Sequence, residues 1–174
     1  MSDLYISWDE YHKNIERLAI QVHQSAWPFD QIVCLARGGL RIGDVLSRLF
    51  QRPLAILVVS SYDGPNNSVR GNLRFARHLT TIDEQFGRRV LLVDDLVDSG
   101  ITLKETAIWL RQHYGQVVEE IRTAVIWYKA CSAIAPDYYV DYLPENPWIH
   151  QPFERYERME PDDLIATPFS QTPV

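Results

Sequence analysis

The sequence predicts an α/β protein: an open, mostly parallel sheet flanked by helices, with a flexible loop and a small C-terminal hood. Three observations carry that expectation. Short apolar runs that suit strands alternate along the chain with segments of helical periodicity. One run, Val90-Leu91-Leu92-Val93, is apolar at every position, as a strand covered on both faces must be. That run ends in a turn of acids and hydroxyls leading into a helix, the place where open α/β sheets bind ligands.

The elements follow in order. Ser7-Trp8-Asp9-Glu10 has the pattern of a helix start, with Ser7 as N-cap and Glu10 at the third helical position. Tyr11, Ile15, Leu18, Ala19 and Val22 then recur at helical spacing, and Pro28 lies beyond the helix end. Ile32 to Ala36 is a short buried strand. Arg37-Gly38-Gly39 is a turn, and Leu40 to Phe50 is a helix with Ile42, Val45, Leu46 and Leu49 facing inward. Leu54 to Val59 is the next strand. Residues 60–80 break the rhythm: Tyr62 to Ser68 is turn chemistry, and Val69 to Leu79 has the alternation of a hairpin arm. A polar insertion of this length in a compact domain is a functional lid or a plain surface hairpin. Arg89 to Val93 and Ile121 to Tyr128 are further strands. Between them, the helix that starts at Thr102 turns Leu103, Ala107 and Leu110 to one side. Tyr138 to Tyr142 is a last strand. After Pro144 the chain is rich in proline, aromatics and charge, as a cap over the sheet edge would be. There is no internal repeat, so residues 1–174 read as a single domain, with the hood formed mainly by 143–174.

Composition narrows the function classes. Of 174 residues, 46% are apolar and 23% charged, which is the balance of a globular chain with a real core. The formal net charge of −6 speaks against a broad nucleic-acid footprint. Cys34 lies inside an apolar run and reads as core filler. Cys131 has no evident role, and the pair is too distant and isolated for a disulfide framework or a zinc site. The opening residues, with Asp3, Asp9 and Glu10, are unlike a signal peptide. No apolar stretch approaches membrane-spanning length. These features predict a soluble cytoplasmic protein with no nucleic-acid or membrane partner. The aromatic content fits a homo-oligomer.

The turn after Val93 carries the chemistry. Asp98, Ser99, Gly100, Ile101 and Thr102 can offer successive backbone N–H groups and two hydroxyls to a phosphate at a helix N-terminus. Gly100 lets the backbone come close and take φ > 0. Asp94 and Asp95 have the wrong charge to face that phosphate. They suit sugar hydroxyls, as acceptors, or a hard cation such as Mg²⁺. Phosphate, hydroxyls and metal together describe a phosphorylated sugar.

Residues 90–102, Val-Leu-Leu-Val-Asp-Asp-Leu-Val-Asp-Ser-Gly-Ile-Thr, resemble the signature of the type I phosphoribosyltransferases, which bind 5-phosphoribosyl 1-pyrophosphate (PRPP). Arg37-Gly38-Gly39 resembles the pyrophosphate loop of that family. Its physical sense is that two glycines let N–H groups approach a diphosphate beside a guanidinium. Ser60-Ser61-Tyr62-Asp63 resembles the family's flexible catalytic loop. Arg70, Arg74 and Arg77 are all candidates for its basic residue, and none is singled out. The resemblance implies the family's fold and a PRPP site made of Arg37, Gly38, Gly39, Ser60, Tyr62, Asp94, Asp95, Asp98, Ser99, Gly100, Ile101 and Thr102.

The acceptor is read from residues beyond the phosphate machinery. Lys129, at a strand end, can donate to a ring carbonyl. Trp148 offers a stacking face, and Ile149 offers backbone groups for an edge contact. Such a set suits a 6-oxopurine. From Tyr5 to about Phe153 the chain is similar to the bacterial xanthine–guanine phosphoribosyltransferases. That resemblance implies a lysine on O6 at Lys129, an aromatic cover at Trp148 and an acid near N7 at Asp98.

The expected activity is phosphoribosyl transfer from PRPP to N9 of guanine, xanthine or hypoxanthine, which the sequence does not rank. The expected catalytic residues are Asp94, Asp95 and Asp98, with Mg²⁺ as cofactor held by Asp94 and Asp95. The alternatives are transfer to another base, or a regulator that keeps the PRPP fold to sense nucleotides or bind RNA.

Overall fold

Val90–Val93 has no polar face to give to water, and it lies where none is needed, with every side chain buried in the middle of the larger sheet. The structure, a computed structural model, describes residues 3–61, 73–82 and 85–166. In chain order the elements are β1 (Leu4–Tyr5), α1 (Trp8–Gln24), β2 (Gln31–Ala36), α2 (Leu40–Phe50), β3 (Leu54–Ser61), β4 (Leu73–Phe75), β5 (Arg89–Val93) and β6 (Leu96–Val97). They continue as α3 (Ile101–Tyr114), β7 (Glu120–Lys129), β8 (Tyr138–Leu143), β9 (Ile149–His150), a turn of 3-10 helix (Glu154–Glu157) and α4 (Pro161–Ala166).

Two compact units emerge. The larger, Lys13–Asn146, holds a sheet in the order β4-β3-β2-β5-β7-β8. All its pairings are parallel except β3 with β4. β6 resumes the edge of β7 that β5 leaves: Val93 pairs with Ala124 and Leu96 with Trp127, in one register. The Asp95 carbonyl bridges the gap by accepting from the Ile126 N–H at 2.9 Å. Asp94 and Asp95 therefore interrupt a strand line without shifting it. The chain runs from β2 outward to β3, then returns past β2 to β5, so the switch point lies between the C-terminal ends of β2 and β5.

The helices bury most of the faces their periodicity indicates, with corrections at Val45, which is only half-buried, Leu49 and Ala107. α1 buries Tyr11, Ile15, Leu18, Ala19 and Val22 and is capped by Ser7, whose Oγ accepts the Glu10 N–H at 3.2 Å. α2 buries Ile42 and Leu46, but Leu49 is 59% exposed. Gly43 takes the contact place instead, its missing Cβ lying 2.6 Å from Cβ of Cys34. α3 buries Leu103, Thr106, Trp109 and Leu110, whereas Ala107 is half-buried. Trp109 stacks on Phe75 of β4 with ring centroids 6.0 Å apart, which turns the helix face toward the sheet's far edge. The insertion after β3 returns as β4, antiparallel to it, with Ser60 opposite Arg74. The rest of that arm, including Tyr62 and Arg70, lies outside the described residues.

The smaller unit joins the residues up to His12 with those from Pro147 onward. β1 and β9 pair in parallel, Leu4 with Ile149 and Tyr5 with His150. His150 Nε2 lies 3.0 Å from an oxygen of Asp3, and its ring stacks on Tyr5 at 4.3 Å. Phe153 meets Tyr11 edge-on at 5.6 Å. The hood is thus tied to the N-terminal residues, a partnership too short in sequence to announce itself.

The α2 correction yields a paired prediction. Leu46→Ala, in the core, should lower unfolding stability by about 2–5 kcal/mol. Leu49→Ala should change it by less than about 0.5 kcal/mol. Urea midpoints measure both, and equal losses would contradict the assigned helix face.

Candidate active site

Strand β5 delivers its end to the switch point, and the residues that follow build a pocket of about 210 Å³ lined by Asp94–Gly100, Thr102 and Leu103. Gly100 takes φ +80°, the left-handed conformation its sequence position predicts. No Cβ would fit there, since one would lie 2.5 Å from Ser132 Oγ. Gly100 opens α3 without any side-chain cap, and the first turn of α3 holds no acidic residue. The N–H groups of Thr102 and Leu103 have no intrahelical partner by the geometry of a helix start. The positive end of the helix dipole is therefore left for an anion. Ser99 Oγ accepts from the Ile101 N–H at 3.4 Å, which folds the serine back over that turn.

The glycines of the β2–α2 turn explain their own presence. A Cβ on Gly38 would lie 2.6 Å from the Asp95 carboxylate, and one on Gly39 would lie 2.5 Å from the Val93 carbonyl. The turn is pressed against the acidic pair. The Ala36–Arg37 peptide there is cis, and Arg37 is exposed. Asp94 Oδ1 accepts the Asp95 N–H at 3.0 Å, and Asp95 Oδ1 accepts the Leu96 N–H at 2.8 Å. Burial pushes the Asp94 carboxyl well above the usual carboxylate range, and the Asp95 charge adds to the rise. N–H donation from Asp95 and Gly39 opposes it.

These crowded carboxylates fit a bound cation. Among the described residues no group of three or more His, Cys, Asp or Glu could hold a metal by itself. Two acidic oxygens without a full protein cage suit Mg²⁺, which keeps waters and takes substrate oxygens.

Lys129, one of the residues that sequence reasoning assigned to the base, meets the loop before α3 through the third acid. Lys129, at the end of β7, is buried, and its Nζ lies 3.6 Å from Asp98 Oδ1. The turn after it packs on the loop: the Ala133 N–H donates to the Ser99 carbonyl at 3.1 Å, and Ser132 faces Gly100. Cys131, which has no evident role in the sequence reading, sits here with Sγ 3.2 Å from Asp98 Oδ1. Asn146, at φ 51°, accepts the Cys131 N–H at 2.9 Å. The Asn146-Pro147 dipeptide was the available sign that this turn is special. Nothing in sequence marked Cys131.

Ser60 is an exposed residue near the end of β3. Trp148 and Ile149 belong to the smaller unit. There Trp148 is 61% exposed and Ile149 has its side chain buried. The Trp148 carbonyl accepts from the Leu4 N–H at 2.8 Å, and the His150 carbonyl from the Ile6 N–H at 3.0 Å. Strand alternation then turns the backbone groups of Ile149 away from β1.

The fold places the chain among α/β proteins that use the switch point of a parallel sheet. Residues 7–158 match the profile of the phosphoribosyl transferase domain, and the chain belongs to that family. This bears out the resemblance read from residues 90–102. The xanthine-guanine phosphoribosyltransferase of Idiomarina loihiensis is 29% identical over 155 residues, 88% of each chain. A purine phosphoribosyltransferase from Pyrococcus horikoshii has a similar structure, at TM-score 0.69 and 27% identity, over 88% of this chain and 94% of that one. The Helicobacter pylori xanthine-guanine-hypoxanthine phosphoribosyltransferase shares the fold at TM-score 0.74 and 22% identity, over 95% of this chain and all of that one. These relatives are transferases. No helix among the described residues is long and apolar enough to cross a membrane.

The raised Asp94 pKa sets a pH dependence with a definite sign. This carboxyl adds stability fully below the ordinary Asp pKa of about 3.9, and the contribution is lost as pH rises through the higher folded value. Melting of the ligand-free protein from about pH 4 to pH 8 should show that loss, and Asp94→Asn should flatten it. Superimposable profiles for the two proteins would contradict the assignment.

Proposed function

We propose that the protein transfers the phosphoribosyl group of PRPP to N9 of a 6-oxopurine in purine salvage. The bond from C1 of the ribose to the diphosphate oxygen breaks, the N9–C1 bond forms, and the purine gives up a proton. The observation that carries this reading is the meeting of Lys129 and Asp98 at the rim of the phosphate loop, 3.6 Å apart. A carbonyl donor and an acid for a ring nitrogen then stand beside the anion cradle. The names of the relatives agree with a purine acceptor.

Each residue has a role in this scheme. The α3 N-terminus, with Ser99, Gly100, Ile101 and Thr102, holds the 5-phosphate. Asp94 and Asp95 accept from the ribose hydroxyls, directly or through Mg²⁺. Arg37, Gly38 and Gly39 bind the diphosphate. The metal, when bound, neutralises charge on the leaving group. Positive charge developing at C1 is stabilised by the nearby carboxylates, so catalysis is chiefly positioning and electrostatics. Lys129 donates to O6, and Asp98 handles the proton at N7. We assign Trp148 the stacking role and Ile149 the edge contact, and Ser60 and Tyr62 roles in closure over PRPP. A single-domain, cytoplasmic, homo-oligomeric enzyme belongs to the same proposal.

The test is incubation with PRPP, Mg²⁺ and each base in turn, measuring nucleotide and pyrophosphate. Product is expected with at least one of guanine, xanthine and hypoxanthine, and none with adenine or orotate. No product with any purine would overturn the reading.

Two variants resolve the roles. Asp98→Asn should lower kcat by about 100-fold or more while KM for PRPP holds. Lys129→Gln should act mainly through KM for the base. Equal loss of PRPP binding and turnover in Asp98→Asn would refute the role given to Asp98.

A further inference from the structure

Asp98 stands on the short loop between β6 and α3, and its side chain is 63% exposed. An acid so exposed samples several rotamers unless something holds it. One partner is Lys129, a buried chain whose Nζ lies at 3.6 Å. The other is the Cys131 thiol at 3.2 Å, whose sulfur also lies 3.6 Å from the Asp98 carbonyl. Both side-chain contacts fall on Oδ1. Among the described residues, Oδ2 makes no hydrogen bond or ion pair.

Cys131 is exposed, but the backbone that carries its thiol is held by hydrogen bonds on both sides of the turn. The Cys131 N–H donates to Asn146 Oδ1 at 2.9 Å, and the Ala130 N–H to the Leu143 carbonyl at 3.0 Å. The Ser132 N–H donates to the Lys129 carbonyl at 3.1 Å, and the Ala133 N–H to the Ser99 carbonyl at 3.1 Å. The turn is thereby joined both to the end of β8 and to the phosphate loop.

We infer that Cys131 is a positioning residue: its S–H donates to Asp98 Oδ1 and sets the carboxylate so that Oδ2 faces the acceptor base. This deepens the proposed function and rests on its assignment of Asp98. The direction of the hydrogen bond follows from the groups. A carboxylate only accepts, and a thiol can donate. Desolvation, the hydrogen bond to Asp98 and the Asp98 charge all raise the Cys131 pKa, which keeps the proton on sulfur. Cys34 is no competitor, since it is buried and its thiol is pushed up to about 12 by burial.

The experiment compares Cys131→Ala with Cys131→Ser. Removing the donor in Cys131→Ala should lower kcat about 3- to 10-fold, the range of one hydrogen bond, with KM for PRPP and the melting temperature unchanged. Cys131→Ser, which keeps an O–H donor, should retain kcat within about twofold. In an Asp98→Asn background, Cys131→Ala should have no further effect. An activity-independent readout is alkylation of Cys131 by iodoacetamide, followed by mass spectrometry. Losing the Asp98 charge in Asp98→Asn should speed it about threefold or more.

Wild-type kcat in Cys131→Ala, or equal losses in the Ala and Ser variants, would overturn the inference. So would alkylation at one rate in wild type and Asp98→Asn. The failure of the underlying reading looks different: Asp98→Asn would then keep full turnover, whatever Cys131 does.

Discussion

The site depends on how closely two loops approach at the switch point. β2 and β5 pair in parallel, so both deliver their C-terminal ends to the same spot. One end carries Arg37-Gly38-Gly39, the other Asp94-Asp95. A Cβ at Gly39 would lie 2.5 Å from the Val93 carbonyl, so glycine lets the backbones close there, and one at Gly38 would fall 2.6 Å from the Asp95 carboxylate and displace it. Spacing between neighbouring strands is about 4.8 Å, which leaves no slack for a side chain. The glycines thus serve the acidic pair first, by making room for it.

That approach creates an electrostatic cost that the fold carries into its chemistry. Two adjacent carboxyls are held near one another, and burial raises Asp94 far above its ordinary range. Backbone N–H groups from Asp95 and Gly39 oppose the rise. A cation or further hydrogen-bond donors beside the pair would oppose the rise as well. The uncapped α3 N-terminus works by the opposite sign a few residues further along. One turn of chain separates the uncapped helix start from the acidic pair, because the strand line pauses at the acids and resumes as β6.

A second coupling joins the phosphate loop to the end of β7. Ala133 donates to Ser99, Ser132 faces Gly100, and Lys129 and Cys131 both reach Asp98. The loop before α3 and the turn after β7 are therefore fixed to one another. A shift in either loop moves both, and positioning errors of about 1 Å are expensive in transfer chemistry.

By itself the sequence determined the main strands and helices of the larger unit, β6 apart, and the left-handed Gly100. It also marked the turn before α3 and the acidic pair. Each of these is written in a local pattern: four apolar residues together, a Gly between hydroxyls, helical spacing around Leu103 and Leu110. Tertiary structure decided what no local pattern contains. Leu49 has the spacing of a core residue yet lies exposed, because Gly43 sets how α2 meets Cys34. β1 and β9 are too short to show periodicity and exist only by pairing with each other. Cys131 enters the site through the hydrogen bonds of a turn joined to strands distant in the chain. Periodicity reports which way a side chain points along its own element, whereas proximity between loops is set by which strand ends the sheet places side by side.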